Sequence, residues 1–280
     1  MQAKCLVYGP FGAGKTALGV SSFWDWKRQK QIRNGRLVLI GSESNPALGV
    51  PEELIKRFRV EAGKTAEFVK SFETALKAWV MLARRGQGLE SLVVDGFSEL
   101  GAVFETFRGD ETTDKWTAWR ELKDAVIRIT QYLTPEELGC HIIGTARVMK
   151  RRQGIKDKTD DVVKGADPDW FDSEYYPAME GWARENLGHY FNLVAYMNAD
   201  TREVKREGKR VTEAVHRLHL IRDGRYAIKN VWAHGLIGHG LPTVLDNPTF
   251  DDLLGLLERA SHPIDTTPTV GTTINEGESN

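Results

Sequence analysis

Residues 9–16 read Gly-Pro-Phe-Gly-Ala-Gly-Lys-Thr, the spacing G-x-x-x-x-G-K-[ST] of a phosphate-binding P-loop. Glycines at 9, 12 and 14 let the backbone curl into a nest whose N–H groups point at anionic oxygens. The start of the following helix adds partial positive charge at the same place. Gly9, Pro10, Gly12, Ala13, Gly14, Lys15, Thr16 and Ala17 form the expected cradle. Lys15 reaches the β- and γ-phosphates, and the Thr16 hydroxyl is a ligand for Mg²⁺. A second Gly-Lys-Thr at 63–65 lacks the first glycine, since position 58 is Phe58.

Further chemistry stands at the ends of apolar runs. Ser91 to Asp95 (SLVVD) ends in a carboxylate placed to hold Mg²⁺ through water. Many buried strands end in Asp, so it is the P-loop about 80 residues upstream that gives Asp95 its functional reading. Arg36 to Gly41 (RLVLIG) leads into Glu43, an acceptor for the proton of an attacking water, and Glu99 competes for that role. Gly139 to Thr145 (GCHIIGT) ends beside Arg147. Lys15 with Thr16, Glu43, Asp95, and Thr145 with Arg147 therefore fall at the carboxyl ends of successive strands. That is where open α/β sheets place ligands.

The elements that must position these residues follow from periodicity. Ala3 to Tyr8 is a strand, and a helix from the P-loop is expected to run to about Lys30. Pro51 is expected to start a short helix carrying Leu54, Ile55 and Phe58. Ala66 to Arg85 repeats apolar residues every three or four, the pattern of a helix packed by one face on a sheet. Leu100 to Phe107 and Lys115 to Leu133 also read as helices, the tryptophans of the second as core. Gly188 to Ala199, Thr212 to Ile221 and Arg225 to Trp232 read as antiparallel strands appended to the parallel half, with a tight turn at Asp223-Gly224. Pro248 to Ala260 closes the domain as a helix.

Length and composition suit one α/β domain over 1–260, with a Thr-rich tail at 261–280 expected to be disordered. The net charge of −1 confines any nucleic-acid contact to local patches. Cys5 and Cys140 read as buried thiols of a reducing compartment. With no apolar run long enough to span a membrane and a P-loop starting at residue 9, a cytoplasmic protein without a signal peptide is expected. Histidines 216 and 219 stand three apart on a strand and so face opposite ways, which argues against a shared metal. His234 and His239 flank loop glycines and read as structural. Residues 147–176 read as a long loop or a β-excursion, basic at 147–158 and aromatic at its end; 199–210 reads as a charged hairpin tip.

The ordered set resembles the RecA-like core of P-loop ATPases. VYGPFGAGKT, LIGSES, LVVDGFSEL and HIIGTARV look, more narrowly, like bacteriophage RecA-core ATPases of recombination and single-strand annealing. The resemblance implies a mainly parallel sheet flanked by helices, ATP and Mg²⁺ as cofactors, and hydrolysis with Lys15, Glu43, Asp95 and Arg147 catalytic. It also implies a homo-oligomer with ATP between subunits, where Arg147 or the Lys150–Arg152 cluster completes a neighbour's site. Single-stranded DNA would lie on Lys150, Arg151, Arg152, Lys156 and the 202–210 hairpin, with Trp170, Phe171, Tyr175 or Tyr176 stacking bases. A single-strand binding protein is the implied partner, and the host cytoplasm the place. Relatives often carry His or Gln where Arg147 stands. The basic run also reads as a solvated face, or as the lid of a nucleotide kinase; a scaffold that binds ATP with little turnover is the third reading.

Overall fold

The computed structural model describes residues 2–41, 49–59, 65–99, 129, 132–150, 175–178, 190–206, 209–221, 225–232 and 242–261. Strand β1 (Lys4–Gly9) is buried along its whole length. Its residues alternate between two cores: Leu6 and Tyr8 face one, Cys5 and Val7 the other. A strand covered on both faces has no polar side, which is why this segment, Lys4 apart, reads as an apolar run. Helix α2 (Thr65–Arg84) covers one face through Phe68, Phe72, Leu76 and Val80. The short helix α1 (Lys15–Val20) and helix α4 (Phe250–Ser261) cover the other through Leu18, Val20, Phe250, Leu253 and Leu257.

The sheet also contains β4 (Gly35–Ile40), β5 (Ile55–Phe58), β6 (Ser91–Asp95), β7 (His141–Lys150) and β9 (Leu193–Arg206). The remaining members are β8 (Tyr175–Pro177), β10 (Lys209–His219), β11 (Lys229–Asn230) and β12 (Val244–Asp246). The order is β12-β10-β9-β1-β7-β6-β4-β5. From β5 to β9 every neighbour is parallel, and β10, β11 and β12 add antiparallel pairings. This is an α/β fold with a mostly parallel central sheet. A one-turn helix α3 (Pro135–Leu138), capped by the Thr134 side chain, leads into β7.

Several expected elements differ. The P-loop helix stops at Val20 instead of Lys30. The Ser21 hydroxyl donates to the Leu18 carbonyl at 2.6 Å and accepts from the Phe250 amide at 2.8 Å, drawing the chain out of the helix. The chain then turns through a small hairpin of β2 (Trp24–Asp25) and β3 (Lys30–Gln31), tightened by Asp25 accepting from the amides of Lys27 and Arg28. The helix expected from Pro51 is one 3₁₀ turn at Glu52–Leu54 followed by β5, whose pairing to β4 outweighs local helical preference. Strand β7 runs on to Lys150 because β8 pairs with its end, so residues 147–150 take the β-excursion of the two readings and not the loop.

The later strands form one sheet with the earlier ones, because β9 lies parallel to β1 while pairing antiparallel with β10. β9 starts at Leu193, and β9 and β10 pair antiparallel out to Arg206 and Lys209, so the hairpin expected at 199–210 is present and its strands reach further toward the turn than expected. Of Arg225 to Trp232, β11 pairs with the start of β9, and Tyr226 forms an isolated bridge to Tyr175. Cys5 and Cys140 are free and buried, and burial pushes both thiols up to about 12. No helix among the described residues is long and apolar enough to cross a membrane. The helices expected at 100–107 and across most of 115–133, Asp223-Gly224, His234, His239 and the tail fall outside the described residues; Ile129 and Leu133 are buried as core.

Candidate nucleotide site

The P-loop leaves β1 at Gly9 and enters α1 at Lys15. Gly12 and Gly14 have φ of 75° and 88°, the left-handed conformations that favour glycine. Gly9 is required for a different reason: a Cβ there would lie 1.9 Å from the Met197 carbonyl oxygen of β9. The loop curls around its own lysine, and the Lys15 ammonium donates to the carbonyls of Gly9 at 3.0 Å and Pro10 at 2.7 Å. Phe11, at the outer turn, is 95% exposed.

At the far side of the loop, Thr16, Asp95 and Thr145 meet from three elements. The Thr16 hydroxyl donates to Asp95 Oδ2 at 2.6 Å. The Thr145 hydroxyl donates to the other oxygen of the same carboxylate. Register brings this about: β7 lies between β1 and β6, and Asp95 stands directly opposite Thr145. Thr145 is 1% exposed, so its hydroxyl is a fixed donor and not a mobile surface group. Hydroxyl and carboxylate oxygens are the donors a hard divalent cation takes, so the set fits Mg²⁺ with Thr16 and Asp95 as its protein ligands. Among the described residues no cluster of three or more His, Cys, Asp or Glu side chains competes for a metal.

Beyond Asp95, Glu99 pairs with the Arg147 guanidinium, and the Arg147 amide donates to the Ser98 hydroxyl at 2.8 Å. The Glu99 side chain packs so closely on Gly41 that a Cβ there would come within 2.9 Å of its Cγ. Glu99 therefore stands at the joint ends of β4, β6 and β7. Glu43 lies outside the described residues, as do Arg151, Arg152, Lys156, Trp170 and Phe171. Lys150 lies at the end of β7 with its ammonium 5.6 Å from the Tyr175 ring centre. Tyr175 is further occupied by the Arg225 guanidinium and by Tyr196 and Tyr226, which leaves its ring engaged within the protein.

A family model for the AAA domain matches residues 1–225. The chain belongs to the AAA domain family. It is thus an AAA-type P-loop ATPase domain, and the match spans the P-loop, Asp95, Thr145 and Arg147. None of the curated proteins compared with the chain matches it.

Two contacts of this AAA domain escape sequence reasoning. Ser98 is reached by the Arg147 amide only because β6 and β7 are neighbours. His216, on β10, places its ring Nδ1 3.0 Å from the carbonyl oxygen of Ala13 in the P-loop. The two histidines do face opposite ways: His219 instead meets Asn198 at 2.9 Å and the Tyr226 ring.

Proposed function

We propose that the chain is a Mg²⁺-dependent ATPase of the RecA-like kind, working on single-stranded DNA in recombination, annealing or replication. The observation that carries this reading is the Asp95 carboxylate held by Thr16 from the P-loop and Thr145 from the intervening strand. Lys15 would turn from its loop carbonyls to the terminal phosphates, and Thr16 with Asp95 would hold the Mg²⁺, which neutralises charge on the β- and γ-oxygens. Glu43 would orient the attacking water, with Glu99 as the rival. Arg147 pairs with Glu99 of its own chain, and its service to a neighbour's site requires that pair to open. Phe11, uncovered by its own chain, suits a site closed by a second copy.

The DNA contact is assigned to Lys150, Arg151, Arg152, Lys156 and Trp170 in preference to the β9–β10 arm. Three arginines of that arm pair with carboxylates: Arg202 with Asp246, Arg210 with Glu203, and Arg217 with Asp200 and Asp246. A single-strand binding protein would be the accessory partner, and the cytoplasm of a phage's host the setting. The test is the ATPase rate with and without single-stranded DNA. Stimulation that falls steeply with salt is expected, because each phosphate that a basic side chain neutralises on a single strand steepens the log–log slope by about 0.7. Turnover indifferent to DNA would overturn the DNA assignment and leave a nucleotide-gated scaffold or a nucleotide kinase.

A further inference from the structure

We infer that His216 is a positioning residue for the phosphate cradle, acting through the Ala13–Gly14 peptide; this rests on the reading that the loop binds nucleotide phosphates. The ring Nδ1 of His216 lies 3.0 Å from the Ala13 carbonyl oxygen. A carbonyl only accepts, so Nδ1 carries the proton in this contact. The peptide that follows Ala13 is planar and trans, with its carbonyl and its N–H pointing to opposite sides. Anchoring the oxygen on β10 therefore turns the Gly14 N–H away from β10, toward the anion. The same ring closes the space above Gly14, where a Cβ would meet Nδ1 at 3.0 Å and the Met197 methyl at 3.3 Å.

His216 is itself held from both sides of its backbone. Its amide donates to Asn247 Oδ1 at 2.8 Å, and its carbonyl accepts from the Asn247 amide at 2.6 Å. Asn247 adopts φ 48°, a left-handed conformation that Asn tolerates, between β12 and α4. The anchor on the P-loop is thus fixed by elements more than 200 residues away in sequence. Those elements also pin β9, whose Met197 carbonyl fills the space at Gly9. A group that orients a phosphate-binding amide acts on ground state and transition state alike, so its loss should raise KM with kcat nearly kept.

The experiment titrates MgADP into the unaltered full chain, His216→Asn and His216→Leu, with melting curves recorded without nucleotide and KM and kcat for MgATP measured on each. Asn keeps an amide donor near the position of Nδ1; Leu keeps bulk without a donor. Expected are a Kd for MgADP raised ~10-fold or more in His216→Leu, the scale of one structural hydrogen bond, and a change under ~3-fold in His216→Asn. Two results would overturn the inference: Leu binding as tightly as the parent, or Asn losing as much affinity as Leu. Failure of the unaltered chain to bind MgADP or MgATP would instead take down the nucleotide reading and this inference with it.

Discussion

The two lysines of the β1 unit make opposite use of the same side chain. Lys15, at the carboxyl end, is wrapped by the loop, and its ammonium donates to two carbonyl oxygens at 3.0 and 2.7 Å while staying partly open to solvent. Lys4, at the amino end, is 4% exposed, with its ammonium 5.3 Å from the centre of the Phe191 ring. Burial lowers its pKa from 10.5 to about 8, with Glu136 pulling the other way. Polar oxygens arranged by a loop make a cationic site; burial at the amino end carries a cost to the fold. The contrast marks the carboxyl edge of the sheet, and not its buried amino edge, as the place built for ionic chemistry.

Breaking the first half of the contrast should have the largest effect. Lys15→Ala is expected to cut ATP turnover by ~10²–10³-fold or more while leaving the melting curve close to the parent's, since the ammonium sits outside both apolar cores. An unchanged rate would remove the ionic role assigned to the loop. Next in size is the effect at the carboxylate proposed to receive the water's proton. Glu43→Gln should retain MgATP binding and hydrolyse it at least ~10²-fold more slowly. If Glu99→Gln shows that loss and Glu43→Gln does not, the pairing of Glu99 with Arg147 becomes a latch on the base itself.

The sharpest edge of the comparison is also where sequence reading succeeds. The P-loop, Asp95 and Thr145 are legible because each ends an apolar run, and a sheet of parallel strands brings such ends together. Elements governed by pairing partners are not legible. Ile55 to Phe58 carries apolar residues that suit a helix, and only the free edge of β4 makes them a strand. The extension of β7 to Lys150 depends on β8, which arrives after a gap of more than twenty residues. The Ser21 hydroxyl ends α1 because it meets Phe250, which no local window contains. His216 reads as an ordinary strand histidine until β9 and β10 bring it to Ala13.

The second half of the contrast is tested by removing the buried ammonium. Below pH 8 Lys4 is charged in both folded and unfolded chains, so the fold carries the whole cost of burying it, on the order of 3 kcal/mol. Lys4→Met keeps most of the stem and removes the charge; it should raise stability at pH 7 by ~1–3 kcal/mol, read by denaturant titration. Between about pH 8 and 10.5 the folded lysine loses its proton before the unfolded one does, and parent stability recovers with rising pH. The advantage of Lys4→Met should therefore shrink at pH 10. A variant less stable than the parent at pH 7 would mean that the contacts of the ammonium outweigh the cost of its burial.

The smallest expected effect probes the same buried edge with a group that can lose its charge. His141 opens β7, and its Nδ1 accepts the Ala3 amide at 3.0 Å, which requires that nitrogen to be unprotonated. Burial, and after it the nearby Arg33 guanidinium, lower its pKa below the ordinary 6.5, with Glu90 opposing. As pH falls through 6.5, an unfolded chain takes up a proton that the folded chain declines, so folding loses free energy. The loss grows until the folded pKa is reached and is constant below it. His141→Asn keeps an acceptor for the Ala3 amide and cannot titrate, so it should remain free of this acid limb. The stability of the parent minus that of His141→Asn, measured by denaturant midpoints from pH 7.5 to 5.5, should fall steadily with pH. Parallel profiles would show that the imidazole is protonated as readily in the fold as outside it. The amino edge of the sheet would then tolerate a cation at His141, and the cost assigned to Lys4 could not be a property of that edge as a whole.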